Sequence, residues 1–99
     1  MVHEELISLK RLALQGREVS FTQAVLAWQR DGRQFTWSGT VRGGAAEELA
    51  ADGEEVSLDA TSLDGRAVAG RVVVMRPEGL EGLLAFAGSE PLLVEGREL

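Results

Sequence analysis

The chain has 99 residues, 44% of them hydrophobic, and a net charge of −6 from 16 acidic and 10 basic side chains. That length allows one domain spanning 1–99 and no second core, and the apolar share suffices to build that core without a metal or a crosslink. Cysteine is absent, which excludes disulfides, thiolate metal sites and cysteine nucleophiles together.

Nine of the ten basic residues are arginine, Lys10 being the exception, and asparagine and tyrosine are missing. This bias towards Arg, Ala, Gly, Leu and Val reports a GC-rich genome and carries no mechanism. No run approaches the roughly 18 apolar residues of a spanning helix. Met1-Val2-His3-Glu4-Glu5 is acidic where a signal peptide is basic. Both observations predict a cytoplasmic chain with no membrane role.

Residues 4–14 fit two readings. Leu6, Leu9 and Ala13 make a helical stripe, whereas Ile7 and Leu9 followed by Leu12 and Leu14 make a strand with a bulge. The strand is preferred because everything after Gly16 is β-prone.

Two segments then share one pattern. Glu18-Val19-Ser20-Phe21 leads to Asp31-Gly32-Arg33, and Glu55-Val56-Ser57-Leu58 leads to Asp64-Gly65-Arg66. A β-prone stretch meeting Asp-Gly and resuming as another β-prone stretch is the signature of a hairpin. In the first, 18–29 and 33–42 pair around a three-residue loop, Arg30-Asp31-Gly32, so that Trp37 faces Val25 and Phe35 faces Ala27. This register puts Val19, Phe21, Val25, Ala27, Phe35, Trp37 and Val41 on a core face, with Ala24, Leu26 and Trp28 on the other. A two-residue Asp-Gly turn would pair Trp28 with Phe35 instead, turning one strand over relative to its partner.

Residues 43–54 form a polar connector in which 45–51 have room for two helical turns. The second hairpin, 55–62 with 66–76, closes on Leu63-Asp64-Gly65 and pairs Val56 with Val72, Leu58 with Gly70 and Ala60 with Val68. Its return strand is apolar on both faces from Val72 to Met75 and belongs in the middle of a sheet. Residues 83–87 and 92–94 read as two further short strands; a helical stripe over Leu80, Leu83, Leu84 and Ala87 is opposed by Gly79 and Gly82, each costing about 1 kcal/mol relative to alanine. The fold class is therefore mainly β: a small antiparallel barrel or sandwich of six or seven strands built from two similar hairpins, with room for a short helix at 4–14 or 45–51.

Reactive constellations are missing from the pattern. His3 is the lone histidine and sits in a terminal segment, so no catalytic triad and no multi-histidine metal site can be assembled. The acidic groups at Glu4-Glu5, Glu47-Glu48 and 52–55 lack the alternating oxygen spacing of a calcium loop and read as solvated surface. Asp59 reads as an outward charge on an edge strand, and Gly39 and Gly70 read as bulges or tight bends within strands. The glycines match neither a dinucleotide nor a Walker phosphate loop, and no cofactor is expected.

One feature points to function. Leu26 and Trp28 fall on the face opposite the core, with Arg30 and Arg33 at the turn. An indole buries about 150–250 Å², worth roughly 4–6 kcal/mol at most, so it is seldom left in water without a role. These four residues are the expected partner-binding site of a non-catalytic binding or assembly module, which presents the hairpin to a protein or to another copy of the chain. Two alternatives stand beside it. One is a barrel that binds single-stranded nucleic acid through Trp28 with Arg30, Arg33 and Arg42, which the acidic balance opposes. The other is a barrel holding an apolar small molecule among Ala24, Ala27, Gly39, Ala60, Ala67, Ala69 and Gly70.

Overall fold

The computed structural model describes residues 2–44, 52–76 and 82–99, and all of its regular structure is strand. Among the described residues nine strands run in the order β1 (Val2–Leu14), β2 (Arg17–Glu18), β3 (Gln23–Asp31), β4 (Gln34–Arg42), β5 (Glu55–Ser62), β6 (Ala67–Met75), β7 (Leu83–Gly88), β8 (Leu93–Val94) and β9 (Arg97–Glu98). Six of them close on themselves: β1 pairs β3, β3 pairs β4, β4 pairs β7, β7 pairs β6, β6 pairs β5, and β5 returns to β1. Every pairing is antiparallel. The result is a six-stranded barrel in which closure removes most sheet edges.

Closure depends on β1. Its first half, 2–8, pairs with β3, and its second half, 9–14, pairs with β5, with a register shift between Leu9 and Arg11. An extra residue in one strand reverses which side chains face inward. Accordingly Ile7 and Leu9 are buried before the shift, and Leu12 and Leu14 after it. The strand-with-bulge reading of 4–14 holds and the helical one does not; the 45–51 helix lies outside the described residues.

The second hairpin has the expected register, Val56 with Val72, Leu58 with Gly70 and Ala60 with Val68. Ser62 N donates to the Arg66 carbonyl at 3.0 Å, closing the three-residue Leu63-Asp64-Gly65 loop. As its two apolar faces required, β6 is central, bonded to β5 on one side and to β7 and β8 on the other. Asp59 is exposed but not on an edge, since β5 is flanked there by Ala13 of β1 and Ala69 of β6.

The first hairpin departs from expectation. Asp31 pairs with Gln34, leaving a two-residue Gly32-Arg33 loop, and Trp28 lies opposite Trp37, Leu26 opposite Gly39 and Ala24 opposite Val41. Gly32 has φ +61° and Arg33 does not enter the left-handed region, which is the pattern of a type II′ turn with glycine at its first central position. This turn twists with the strands, whereas the expected loop would have placed the glycine last. The shift turns β3 over, so that Ala24 and Leu26 are inside and Val25 and Ala27 half-buried outside, while Val19, Trp37 and Val41 are buried as expected.

The interior is filled by side chains. Leu12, Leu26, Leu58, Val72, Val74, Phe86 and Leu92 are all fully buried, and Trp37 retains only 5% exposure. Gly39 and Gly70 keep the strand register on both sides, so neither is a bulge. Each instead marks a close approach: a Cβ on Gly39 would lie 2.3 Å from the Phe86 ring, and one on Gly70 2.6 Å from the Trp37 indole.

Candidate binding groove at the aromatic end

At one end of the barrel, β1, β3 and β4 run past the other strands. The inward row here is Glu5, Trp28 and Trp37, placed side by side by the pairing of Glu5 with Trp28 and of Trp28 with Trp37. Trp37 turns into the barrel, where its Nε1 donates to the Glu90 carbonyl oxygen at 2.7 Å and its ring lies over Gly88. Trp28 is half-buried nearer the rim, and its Nε1 donates to Glu5 Oε1 at 3.1 Å. Its ring tilts against Phe35 with centroids 5.8 Å apart, and the Arg30 guanidinium covers the same Phe35 ring at 5.2 Å from its centroid.

Glu5 also holds this end to the second hairpin. Its Oε2 accepts from Arg66 Nη2 at 3.1 Å, and Arg66 Nε reaches Asp64 at 3.1 Å. The Ser62 hydroxyl donates to Asp64 and accepts the Arg66 backbone amide at 2.9 Å. Hydrogen bonds from Ser62 and then Arg66 hold the Asp64 carboxyl below its ordinary range. The chain of contacts from Trp28 through Glu5 and Arg66 to Asp64 links β3 and β1 to the turn of the second hairpin, which is distant from both in sequence. Such polar chains at a rim fix the orientation of the aromatic ring they end on.

A groove of about 1120 Å³ opens beside these rings, lined by residues from β1, β3, β4 and the C-terminal segment. Its cause is local. β7 pairs with β4 only from Ser38 onward, so among the described residues Gln34–Trp37 have no strand partner on that side. The chain leaves β4 at Gly88, because Ser89 N donates to the Arg71 carbonyl over β6 instead. Pro91 and Leu99 then form the opposite wall, with Leu99 packed against the core. Phe35 and Trp28 contribute the apolar floor, and Glu4, Glu5, Glu90 and Glu98 outnumber Arg33 among the charged lining groups.

No protein-family model, curated protein or solved structure matches this chain. Its functional reading therefore rests on the site alone.

The four residues singled out from the sequence divide. Trp28, Arg30 and Arg33 do meet at one end of the barrel, Arg33 exposed in the groove wall and Arg30 half-buried over Phe35. Leu26 does not join them. It is fully buried against Phe86 and the rest of the core, the consequence of the shifted hairpin register. Arg42 lies at the opposite end of β4, paired with Gln23 and Leu83, roughly 25–30 Å along the strand from Arg33. Sequence reasoning missed Glu5 and the C-terminal wall, since both reach the site through long-range contacts that no local pattern encodes.

Among the described residues no three histidine or carboxylate side chains gather closely enough to hold an ion. No helix among them is long and apolar enough to cross a membrane.

Proposed function

We propose that this chain is a non-catalytic binding or assembly module of the cytoplasm that meets a protein partner, or another copy of itself, through the end of the barrel carrying Trp28. The observation that carries this reading is the groove beside Trp28 and Phe35, with an open strand edge as one wall. Aromatic rings set in a concavity and braced from behind are the usual anchors of protein association. The cytoplasmic placement leans on the absence of cysteine.

The same geometry weakens the two alternatives. Nucleic acid would meet four carboxylates in the groove, while Arg42 stands too far away to share a strand's phosphates with Arg33. An apolar ligand inside the barrel would compete with Phe86, Trp37 and Leu26 for the space they fill.

The test compares Trp28→Ala with the parent protein by sedimentation velocity and by recovery of bound proteins from extract of the source cells, with circular dichroism to verify folding. Loss of self-association or of a specific bound protein is expected. A folded variant that associates in both assays as the parent does would refute the reading.

A further inference from the structure

We infer that the open edge of β4 receives an extended peptide segment bearing lysine or arginine, laid into the groove as an added strand. This deepens the binding-module reading and rests on it.

The backbone gives the first reason. Asp31 and Gln34 close a two-residue hairpin loop, so they exchange hydrogen bonds with each other, and in an antiparallel pair the next residues across do not. The next pair is Arg30 with Phe35. The N–H and C=O of Phe35 therefore point away from β3, towards the side where β7 is missing. An edge with unspent donors and acceptors is a template for strand addition, and most proteins cover or shorten it. Here β7 is diverted at Gly88, and the space beside the edge is left as a groove rather than filled.

Charge gives the second reason and selects the occupant. Glu4, Glu90 and Glu98 are exposed in the groove lining, and none of the three is in an ion pair among the described residues. Among the described residues Arg33 is the single opposing cation of that lining. With a net charge of −6 on the whole chain, a second copy would bring further carboxylates to this edge, whereas a basic segment would be drawn to it. In a strand laid against β4, successive side chains turn to opposite faces, so every second one meets the Phe35 and Trp28 rings and the others are free to carry charge. The favoured segment thus alternates apolar and basic residues.

The experiment uses fluorescence anisotropy with the full chain and three labelled peptides of roughly eight residues, long enough to overrun a four-residue edge. One alternates lysine and valine, one alternates glutamate and valine, and the third is the lysine peptide N-methylated at alternate peptide bonds, prepared in both phases. Binding of the lysine peptide is expected, tightening as salt is lowered, with the glutamate peptide undetectable. N-methylation in one phase should weaken binding about five- to tenfold, the range that one or two hydrogen bonds supply, while the other phase changes little. The variant carrying both Glu90→Lys and Glu98→Lys should bind the lysine peptide more weakly.

Equal binding of the acidic peptide, or indifference to N-methylation in both phases, overturns the inference. So does self-association through this edge, measured as a dimer that Phe35→Pro disperses, because the occupant is then a second copy. If no peptide binds at millimolar concentration while Trp28→Ala still abolishes association, this inference falls and the wider reading stands.

Discussion

Trp28 and Glu5 face each other across paired strands, and the indole Nε1 lies 3.1 Å from the carboxylate that also holds Arg66. One carboxylate thus braces the rim tryptophan from behind and ties it to the turn of the second hairpin. Replacing Glu5 by alanine removes a charge-assisted bond and a half-exposed ion pair, a loss of about 1 kcal/mol after allowance for solvent screening. The chain has two tryptophans, so an NMR spectrum of the indole N–H groups contains two side-chain signals. Glu5→Ala should move the Trp28 signal and leave that of Trp37 in place.

The two tryptophans should differ in what they do for stability. Trp37 is 5% exposed and packs against two glycines, so Trp37→Ala opens a core cavity and should cost about 3–5 kcal/mol in urea unfolding. Trp28 is half-buried and lies at the rim, and Trp28→Ala should cost about 1–2 kcal/mol. Equal losses would mean that both rings are core.

Gly88 occupies the position where the Trp37 ring passes, since a Cβ there would fall 2.2 Å from the indole Nε1. Gly88→Ala must therefore displace the ring or the strand, and overpacking of this kind costs about 1–3 kcal/mol. The Trp37 indole signal should shift because its bond to the Glu90 carbonyl is disturbed. An unchanged signal and midpoint would show that the strand yields without strain.

Acid should unfold the chain partly through two carboxylates. Glu55 accepts from Ser89 Oγ at 3.0 Å and Arg71 Nε at 3.2 Å, which hold its carboxyl below the ordinary 4.5. Asp64 is held below the ordinary 3.8 by Ser62 and Arg66. A folded pKa lower than the unfolded one gives stability that is complete above the unfolded value and is lost as pH falls through the folded value. The stability contributed by these two groups should hold from neutral pH down to about pH 5 and then decline. The variant with Glu55→Gln and Asp64→Asn should show a shallower acid decline in urea titrations. Superimposable declines would remove these two groups from the explanation.

How far the sequence reached can be traced residue by residue. The second hairpin was readable because Val56, Leu58 and Ala60 alternate with Ser57 and Asp59, which permits one register around Asp64-Gly65. The first was not, because Ala24-Val25-Leu26-Ala27-Trp28 is apolar at every position and no alternation marks its inner face. What decides that face is the two-residue Gly32-Arg33 turn, whose register sets Trp28 opposite the buried Trp37 and Leu26 opposite Gly39. Leu26 was drawn outward by the same ambiguity and proves to be core. Trp28, Arg30 and Arg33 were legible as a group because they neighbour one turn, whereas Glu5, Glu90 and Leu99 come to the groove only through barrel closure and the path of the C-terminal segment.

The central claim is that partners meet the barrel at its aromatic end. Its most direct test is an amide and indole chemical-shift map recorded while the lysine–valine peptide is titrated into the folded protein. The account predicts that the Phe35 and Trp37 amides and the Trp28 indole shift together, while Thr22, Gly43 and Gly82 at the far end stay fixed. Shifts gathered at that far end, or none at millimolar peptide, would contradict it.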